Sequence, residues 1–425
     1  MISIANSLTN LFHTIYSYDK WKLKIILSII ISYATYYITR LNFSFAMPSL
    51  IHDLGFTKTE LGFVLSSFSI IYGLGKFFSG IVSDITSAKK TILAGLLGTA
   101  IVNLIIPHIT AIYPLALAWG VNGCFQSMGW PPCVKLINNW FSKKEIGTVW
   151  GLCNSAHAIG SSLIALFAGI ILSTFGLRSL FYLPSLIAII VLLTLKSSLN
   201  EYPKHLLTRN QIKEDNDNPT PSFSYRNAIF DKLLKNPVTW SMALGTMFLY
   251  VIRIGLLNWL PTFLIEQNQN MGSIGWQFSG LEALGIFGGI FAGYFSDKVG
   301  YTHRSRVAMV FMLGLIICLA AFLILPFNCY LLKSIALILC GFFVYGPQVL
   351  AGIIANDYVS KPIAAAVTGF VGTFGYIGAT FAGIGLGFIT DRFGWKSLFI
   401  TLFINSLVCF LCFLIASNTT KKEPA

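Results

Sequence analysis

Charge is scarce in this sequence. Only 11% of its 425 residues are Asp, Glu, Lys or Arg, against about a quarter in soluble domains. That deficit excludes an ordinary soluble enzyme and a disordered, highly charged chain. The eight cysteines are scattered, several of them inside apolar runs, with no Cys-x-x-Cys and no Cys/His cluster. They read as small buried hydrophobes, which excludes a disulfide-stapled module and a thiolate metal centre. There is no P-loop, no Gly-x-Ser-x-Gly, no His-Glu-x-x-His and no pair of acids within an apolar run. No catalytic grouping is therefore visible, no enzyme activity is expected and no cofactor or metal is called for. Without a nucleotide-binding loop, any movement of solute has to be driven by gradients. The first 20 residues lack a signal-peptide layout, so the first apolar run is expected to stay in place as a span.

What is present points to a membrane. Hydrophobic residues make up 55%, and the mean hydropathy is +0.72. The net charge of +13 would raise nucleic acid in a soluble protein. Here the basic residues sit in short loops between apolar runs, as the positive-inside rule expects, and no nucleic-acid partner is implied. Apolar runs long enough to span fall near 22–46, 60–82, 91–108, 112–137, 148–174, 177–195, 237–265, 273–296, 307–327, 331–356, 363–390 and 394–416. The spacing predicts an all-α polytopic membrane protein. Its expected parts are an N-terminal segment 1–21, a six-helix unit 22–195, a polar linker 196–236, a second six-helix unit 237–416 and a tail 417–425. With the N-terminus inside, 20 Lys and Arg face the cytoplasm and five (Lys58, Arg178, Lys333, Arg392, Lys396) face out. That bias predicts both termini in the cytoplasm.

The two halves read as a duplication. Arg40 lies late in the first span and Arg253 in the middle of the seventh. Gly80-Ile-Val-Ser-Asp84 ends the second span and Gly293-Tyr-Phe-Ser-Asp297 the eighth, each Asp lying 44 positions after its Arg. Phe175-Gly-Leu-Arg-Ser-Leu-Phe181 mirrors Phe393-Gly-Trp-Lys-Ser-Leu-Phe399.

Ionisable groups at membrane depth carry the chemistry. Each costs about 2.5–3.5 kcal/mol at a helix centre, so Arg40, Lys76 and Arg253 together would cost roughly 8–10 kcal/mol in lipid. Snorkelling to an interface accounts well for Lys135, near the end of its span, and poorly for the other three. A guanidinium is always charged, and its planar fork matches phosphate or carboxylate bidentately. Two Arg facing each other across a pseudo-two-fold axis, with Lys76 beside them, call for a multiply charged anion. Glu282 is the one clear acid within a span; it is expected either to pair with these cations when no anion is bound or to make a helix–helix hydrogen bond. His157 is either a packing residue or a donor to the anion. Tyr33 and Tyr37 share the helix face of Arg40, and Tyr72 that of Lys76. These, with Tyr345 and Tyr376, are either packing aromatics or the lining of a polar cavity. Asp84 and Asp297 are expected to latch helices together at the inner face.

Four segments resemble the organophosphate:phosphate antiporters of the major facilitator superfamily: Tyr36-Tyr-Ile-Thr-Arg-Leu-Asn-Phe43, Tyr72-Gly-Leu-Gly-Lys76 running to Ser83-Asp84, Gly129-Trp-Pro-Pro-Cys133 with Trp140-Phe141-Ser142, and Tyr345-Gly346-Pro347. The resemblance covers nearly the whole chain and implies the major facilitator fold, twelve helices in two pseudo-symmetric bundles. It implies that Arg40 and Arg253 hold a phosphoryl group, and that Lys76, His157, Tyr33, Tyr37, Tyr72, Tyr345 and Tyr376 line or approach the site, with Glu282 at an acidic position of the eighth helix. Two departures stand out. Leu41 and Asn258 occupy positions where family members often carry Lys and Asp, and residues 363–390 contain no charge. The second departure resembles sensor-type hexose-phosphate proteins and glucose 6-phosphate translocases. The function expected is exchange of a sugar phosphate, foremost glucose 6-phosphate, for inorganic phosphate by rocker-switch alternating access, in a bacterial inner membrane and as a monomer. The rivals are a membrane sensor signalling to a histidine kinase partner and a glycerol 3-phosphate:phosphate antiporter.

Overall fold

The computed structural model describes residues 20–141, 145–202, 235–299, 303–326, 329–357 and 364–419. The first half contains α1 (Lys20–Leu54), α2 (Lys58–Ile85), α3 (Ala88–Ile105), α4 (Ile112–Ser127), α5 (Trp130–Trp140), α6 (Ile146–Asn154), α7 (Ala156–Phe175) and α8 (Ser179–Ser198). The second contains α9 (Pro237–Glu266), α10 (Met271–Val299), α11 (Arg304–Ile324), α12 (Tyr330–Asp357), α13 (Ala364–Thr380) and α14 (Leu386–Thr419). Among the described residues, each of the twelve apolar runs falls mostly on helix. Most of the linker, 203–234, lies outside the described residues, as does the end of the tail.

Nine helices among the described residues are long and apolar enough to cross a membrane on length and composition alone. Two of the expected spans depart from a single straight helix. The fourth span breaks at Met128-Gly129, and Pro131 and Pro132 open α5, where a missing N–H costs nothing. Two spans run together in α14, divided at Gly394, whose φ of 76° is left-handed. Gly176, which ends α7, has φ 77°. These two glycines are the same position of the Phe-Gly repeat, and both make a turn that a side chain disfavours. The eleventh span contains a π-helical turn at Phe381–Gly385.

The packing repeats between halves. Helix α1 packs on α7 and α8 as α9 packs on α13 and α14; α2 packs on α4 as α10 packs on α12. At Gly160 a Cβ would strike the carbonyl of Ala34, and at Gly378 the carbonyl of Met247. The same close crossing therefore occurs in both halves. The first half adds a buried polar block. Asn42 Nδ2 donates to Asn103 Oδ1 (2.8 Å), Asn103 Nδ2 to the Thr39 carbonyl (3.1 Å), and Gln126 Nε2 to the Thr39 and Thr99 hydroxyls (2.9 Å each). These bonds tie α1, α3 and α4 together beside Arg40.

The halves meet through α7 with α10 and α2 with α13 and α14. At the end where α2 begins, here called the far end, Lys58 Nζ pairs with Glu266 at 2.9 Å, and Trp395 Nε1 donates to the same carboxylate at 2.6 Å. Asp391 accepts from the Lys58 and Thr59 N–H groups at 3.1 and 2.6 Å, capping α2 from the other half. Deeper, Ser66 Oγ donates to the Thr380 carbonyl and accepts from Ile384 N–H, where the π turn frees backbone groups.

The near end, where α1 begins, is tied within each half. Arg304 pairs with Asp357 at 2.8 Å and Asp297 at 3.2 Å. The expected Asp297 latch thus joins the tips of α10, α11 and α12. The Asp84 side chain lies outside the described residues; beside it in the chain, the Ser83 carbonyl accepts from Lys135 Nζ at 2.7 Å, and Lys135 pairs with Glu201 at 3.6 Å. Burial acts to raise the Glu201 carboxyl, but the Ser87 hydroxyl, the Ala88 N–H and Lys135 outweigh it and hold it below the usual glutamate range. A carboxyl lowered by folding contributes stability that is present above its unfolded pKa and lost as pH falls through the folded value. Glu201→Gln is therefore expected to cost about 1 kcal/mol at neutral pH and to leave a flatter stability profile at acid pH. Thermal unfolding of detergent-purified protein across pH 3–7 checks this; parallel profiles for variant and parent would count against the latch.

Candidate functional site

Between the halves, where α1, α2, α7, α9, α12 and α13 converge, lies a cavity of about 110 Å³. Helix α1 supplies Tyr33, Tyr37 and Arg40, and α2 supplies Tyr72 and Lys76. The i, i+4 and i+7 positions of α1 share one face, as do i and i+4 of α2. His157 comes from the first turn of α7, Arg253 from the middle of α9 and Tyr376 from α13. Eight of the nine residues expected at the site thus line one cavity.

The ninth, Tyr345, stands behind Arg253. Arg253 Nη2 donates to its hydroxyl at 2.9 Å, and that hydroxyl donates to Glu282 Oε1 at 2.8 Å. Glu282 therefore reaches the cation through Tyr345 rather than by direct pairing. Arg253 is 6% exposed and Glu282 0%, so the chain Arg253–Tyr345–Glu282 is a desolvated network in which each link strengthens the other.

Arg40 is held differently. Its guanidinium carbon lies 4.8 Å from the Phe68 ring centre, 4.9 Å from Tyr72 and 5.4 Å from Tyr37. Lys76 Nζ lies 5.5 Å from the Tyr376 ring and 5.7 Å from Tyr72. Aromatic faces attract cations by their quadrupoles, about 2 kcal/mol when desolvated, without neutralising them. Among the described residues no carboxylate forms an ion pair with Arg40, Lys76 or Arg253. Arg253 Nε and His157 Nδ1 are buried without a hydrogen-bond partner, a state that costs about 1–3 kcal/mol per group unless a ligand engages it. The His157 ring sits edge-on to Tyr37 and Tyr345, each 5.5 Å away, and so contacts both halves. Chemically, the cavity presents guanidinium and ammonium donors to an anion of two or more charges.

Further lining residues escaped the sequence reading: Trp130, Asn154, Tyr250 and Gln348. Tyr250 had a usable signal, because it precedes Arg253 by three as Tyr37 precedes Arg40. Gln348 follows the Gly346-Pro347 step directly. Leu41 and Asn258 are buried, 3% and 8% exposed. In this chain, charge pairing across the halves is found instead at the far end, between Lys58 and Glu266.

Two half-bundles that repeat the same helix packing, with a cationic cavity between them, fit a secondary transporter architecture. The chain belongs to the Major Facilitator Superfamily, whose family profile matches residues 29–383. Within it, the chain groups with the organophosphate:phosphate antiporters. It is 35% identical to a probable hexose phosphate transport protein of Chlamydia pneumoniae, covering 96% of this chain and 93% of that one. It is 34% identical to a glycerol-3-phosphate transporter of Bacillus subtilis, covering 96% and 94%. It is 30% identical to the membrane sensor protein UhpC of Escherichia coli, covering 96% of this chain and 95% of that one.

Tyr345→Phe keeps the ring against Arg253 and removes the hydroxyl that orients it. Losing one charge-assisted bond is expected to weaken phosphate binding about tenfold, measured by calorimetry on purified protein. Unchanged affinity would remove Tyr345 from the positioning of Arg253.

Proposed function

We propose that this protein exchanges a sugar phosphate, glucose 6-phosphate foremost, for inorganic phosphate across a bacterial inner membrane, with both termini in the cytoplasm. One observation carries the reading: Arg40 and Arg253, from corresponding helices of the two halves, line one small cavity with Lys76, and among the described residues no carboxylate is ion-paired to any of the three. The names of the Chlamydia and Bacillus relatives support an organophosphate as the cargo. The net positive charge favours a phosphate monoester dianion over a monocarboxylate.

In this reading the phosphoryl group bridges the two arginines and draws the halves together. The far-end contacts of Lys58, Glu266 and Asp391 seal the outside while the near end opens to the cytoplasm. At about 110 Å³ the cavity is small beside small-molecule pockets, which run to about 300–1,000 Å³, and it is tight for a hexose. The sugar is therefore accommodated as the halves rock apart at one end. Without an anion the three cations repel, the halves do not close around the cavity, and empty crossing is slow. That enforces exchange.

A second reading has its own support in the UhpC relative: the same pocket would bind hexose phosphate and report it to a histidine kinase partner. A glycerol 3-phosphate antiporter would differ only around the organic part of the ligand.

The test is uptake of radiolabelled glucose 6-phosphate into proteoliposomes loaded with inorganic phosphate, beside unloaded ones, with glycerol 3-phosphate as competitor. Uptake that depends on internal phosphate, and falls at least 100-fold in Arg253→Ala and in Arg40→Ala, is the expected result. Each lost bidentate contact removes about 3 kcal/mol or more from a buried charge pair. Exchange that survives Arg253→Ala intact contradicts the clamp. Specific binding without uptake favours the sensor.

A further inference from the structure

On the lipid-facing side of the first half, α1 and α8 leave a groove of about 400 Å³ at the near end. Along α1 it is bounded by Leu23, Leu27 and Ile31, and across from them by Leu195 and Thr194 of α8. Leu27 is 56% exposed and Ile31 47%. In a helix that crosses a membrane such side chains face hydrocarbon, so the groove opens to lipid tails and not to water. Its mouth is cationic. Lys20 and Lys24, one helical turn apart on the same face, stand at the groove's end.

Their situation differs from that of the neighbouring lysine. Lys22 turns inward and pairs with Glu145 at 2.7 Å. Lys20 and Lys24 are exposed and pair with no acid among the described residues. Lys24 Nζ lies 5.4 Å from the ring centre of Trp21, an aromatic of the kind that sits at headgroup level. The first turn of α1 adds its own partial positive charge. From Lys20 to Ile31 the groove follows about 16 Å of helix, the depth of one leaflet of a hydrocarbon core about 30 Å thick. Cations at one end and one leaflet's depth of apolar wall below them form the complement of a single anionic lipid.

We propose that this groove is a binding site for one anionic glycerophospholipid, its phosphate between Lys20 and Lys24 and one acyl chain along Leu23, Leu27 and Ile31 against α8. The site is separate from the central cavity and shares no residue with it. Two ammonium groups at the headgroup give a preference of roughly tenfold to thirtyfold for an anionic over a zwitterionic lipid of the same chains. The lipid bridges α1, which carries Arg40, to α8 at the rim of the bundle.

The test uses the full chain, purified in mild detergent and exchanged into nanodiscs of phosphatidylcholine with or without phosphatidylglycerol, read by native mass spectrometry for retained lipid and by thermal unfolding. Two variants are compared with the parent. Lys20→Gln/Lys24→Gln removes the headgroup charges, and Thr194→Trp fills the groove while leaving them. The parent is expected to retain one phosphatidylglycerol in preference to phosphatidylcholine at least tenfold. The lysine variant should lose that preference and still hold a lipid of either kind. The tryptophan variant should lose the lipid altogether. Equal retention of the two lipids by the parent, or retention unchanged in both variants, overturns the proposal. So does protection by inorganic phosphate equal to that by phosphatidylglycerol and abolished by Lys20→Gln/Lys24→Gln, which would make the lysines a free-anion site. A second copy of the chain occupying the groove, seen as a dimer lost in Thr194→Trp, overturns it as well.

Discussion

Three cations held in the middle of a membrane protein, none ion-paired to a carboxylate among the described residues, set the terms for everything around them. Arg40, Lys76 and Arg253 line one cavity, and like charges that share a low-dielectric site repel one another. The fold answers with aromatic faces around Arg40 and Lys76 and with the Tyr345–Glu282 relay behind Arg253. Neither device cancels the charge. In the proposed function, an anion bridging the arginines would relieve the repulsion and engage buried donors at the same time, and so would couple binding to the relative position of the two halves.

That coupling needs rigid halves and a separable interface, and the bonds are distributed accordingly. Within the first half, the Thr39–Asn103–Gln126 block and the Glu201 cluster bind helices together. Within the second, Arg304 joins three helix tips. Between the halves, the far-end contacts are a few charged or polar bonds at helix ends, in Lys58, Thr59, Glu266 and Asp391. Exposed pairs of this kind are worth little each, so they suit a seal that opens and re-forms. The polar block's cost is repaid by its position, because it fixes the turn of α1 that carries Arg40.

Much of this was legible in the sequence because membranes constrain sequences severely. The twelve runs, the duplicated Phe-Gly turn and the charged residues at membrane depth all follow from the expense of polar groups in hydrocarbon. The resemblance to the organophosphate antiporters supplied the tyrosines, whose cavity-lining role packing rules alone left open. What escaped was relational. Asp391 caps a helix that begins 333 positions earlier, and no local pattern announces that. Tyr345 lies in a motif, yet only the structure places its hydroxyl between a cation and an acid. Tyr250 escaped because the repeat was read from charged residues and not from the aromatic three positions before each arginine.

The central claim is that two guanidinium forks, and not merely two positive charges, hold the phosphoryl group. Equilibrium binding of inorganic phosphate to purified protein, compared between the parent and Arg40→Lys/Arg253→Lys, tests it most directly, since charge is kept while the planar bidentate geometry is lost. The account predicts a loss of binding of at least 100-fold. Affinity within a fewfold of the parent's would contradict it.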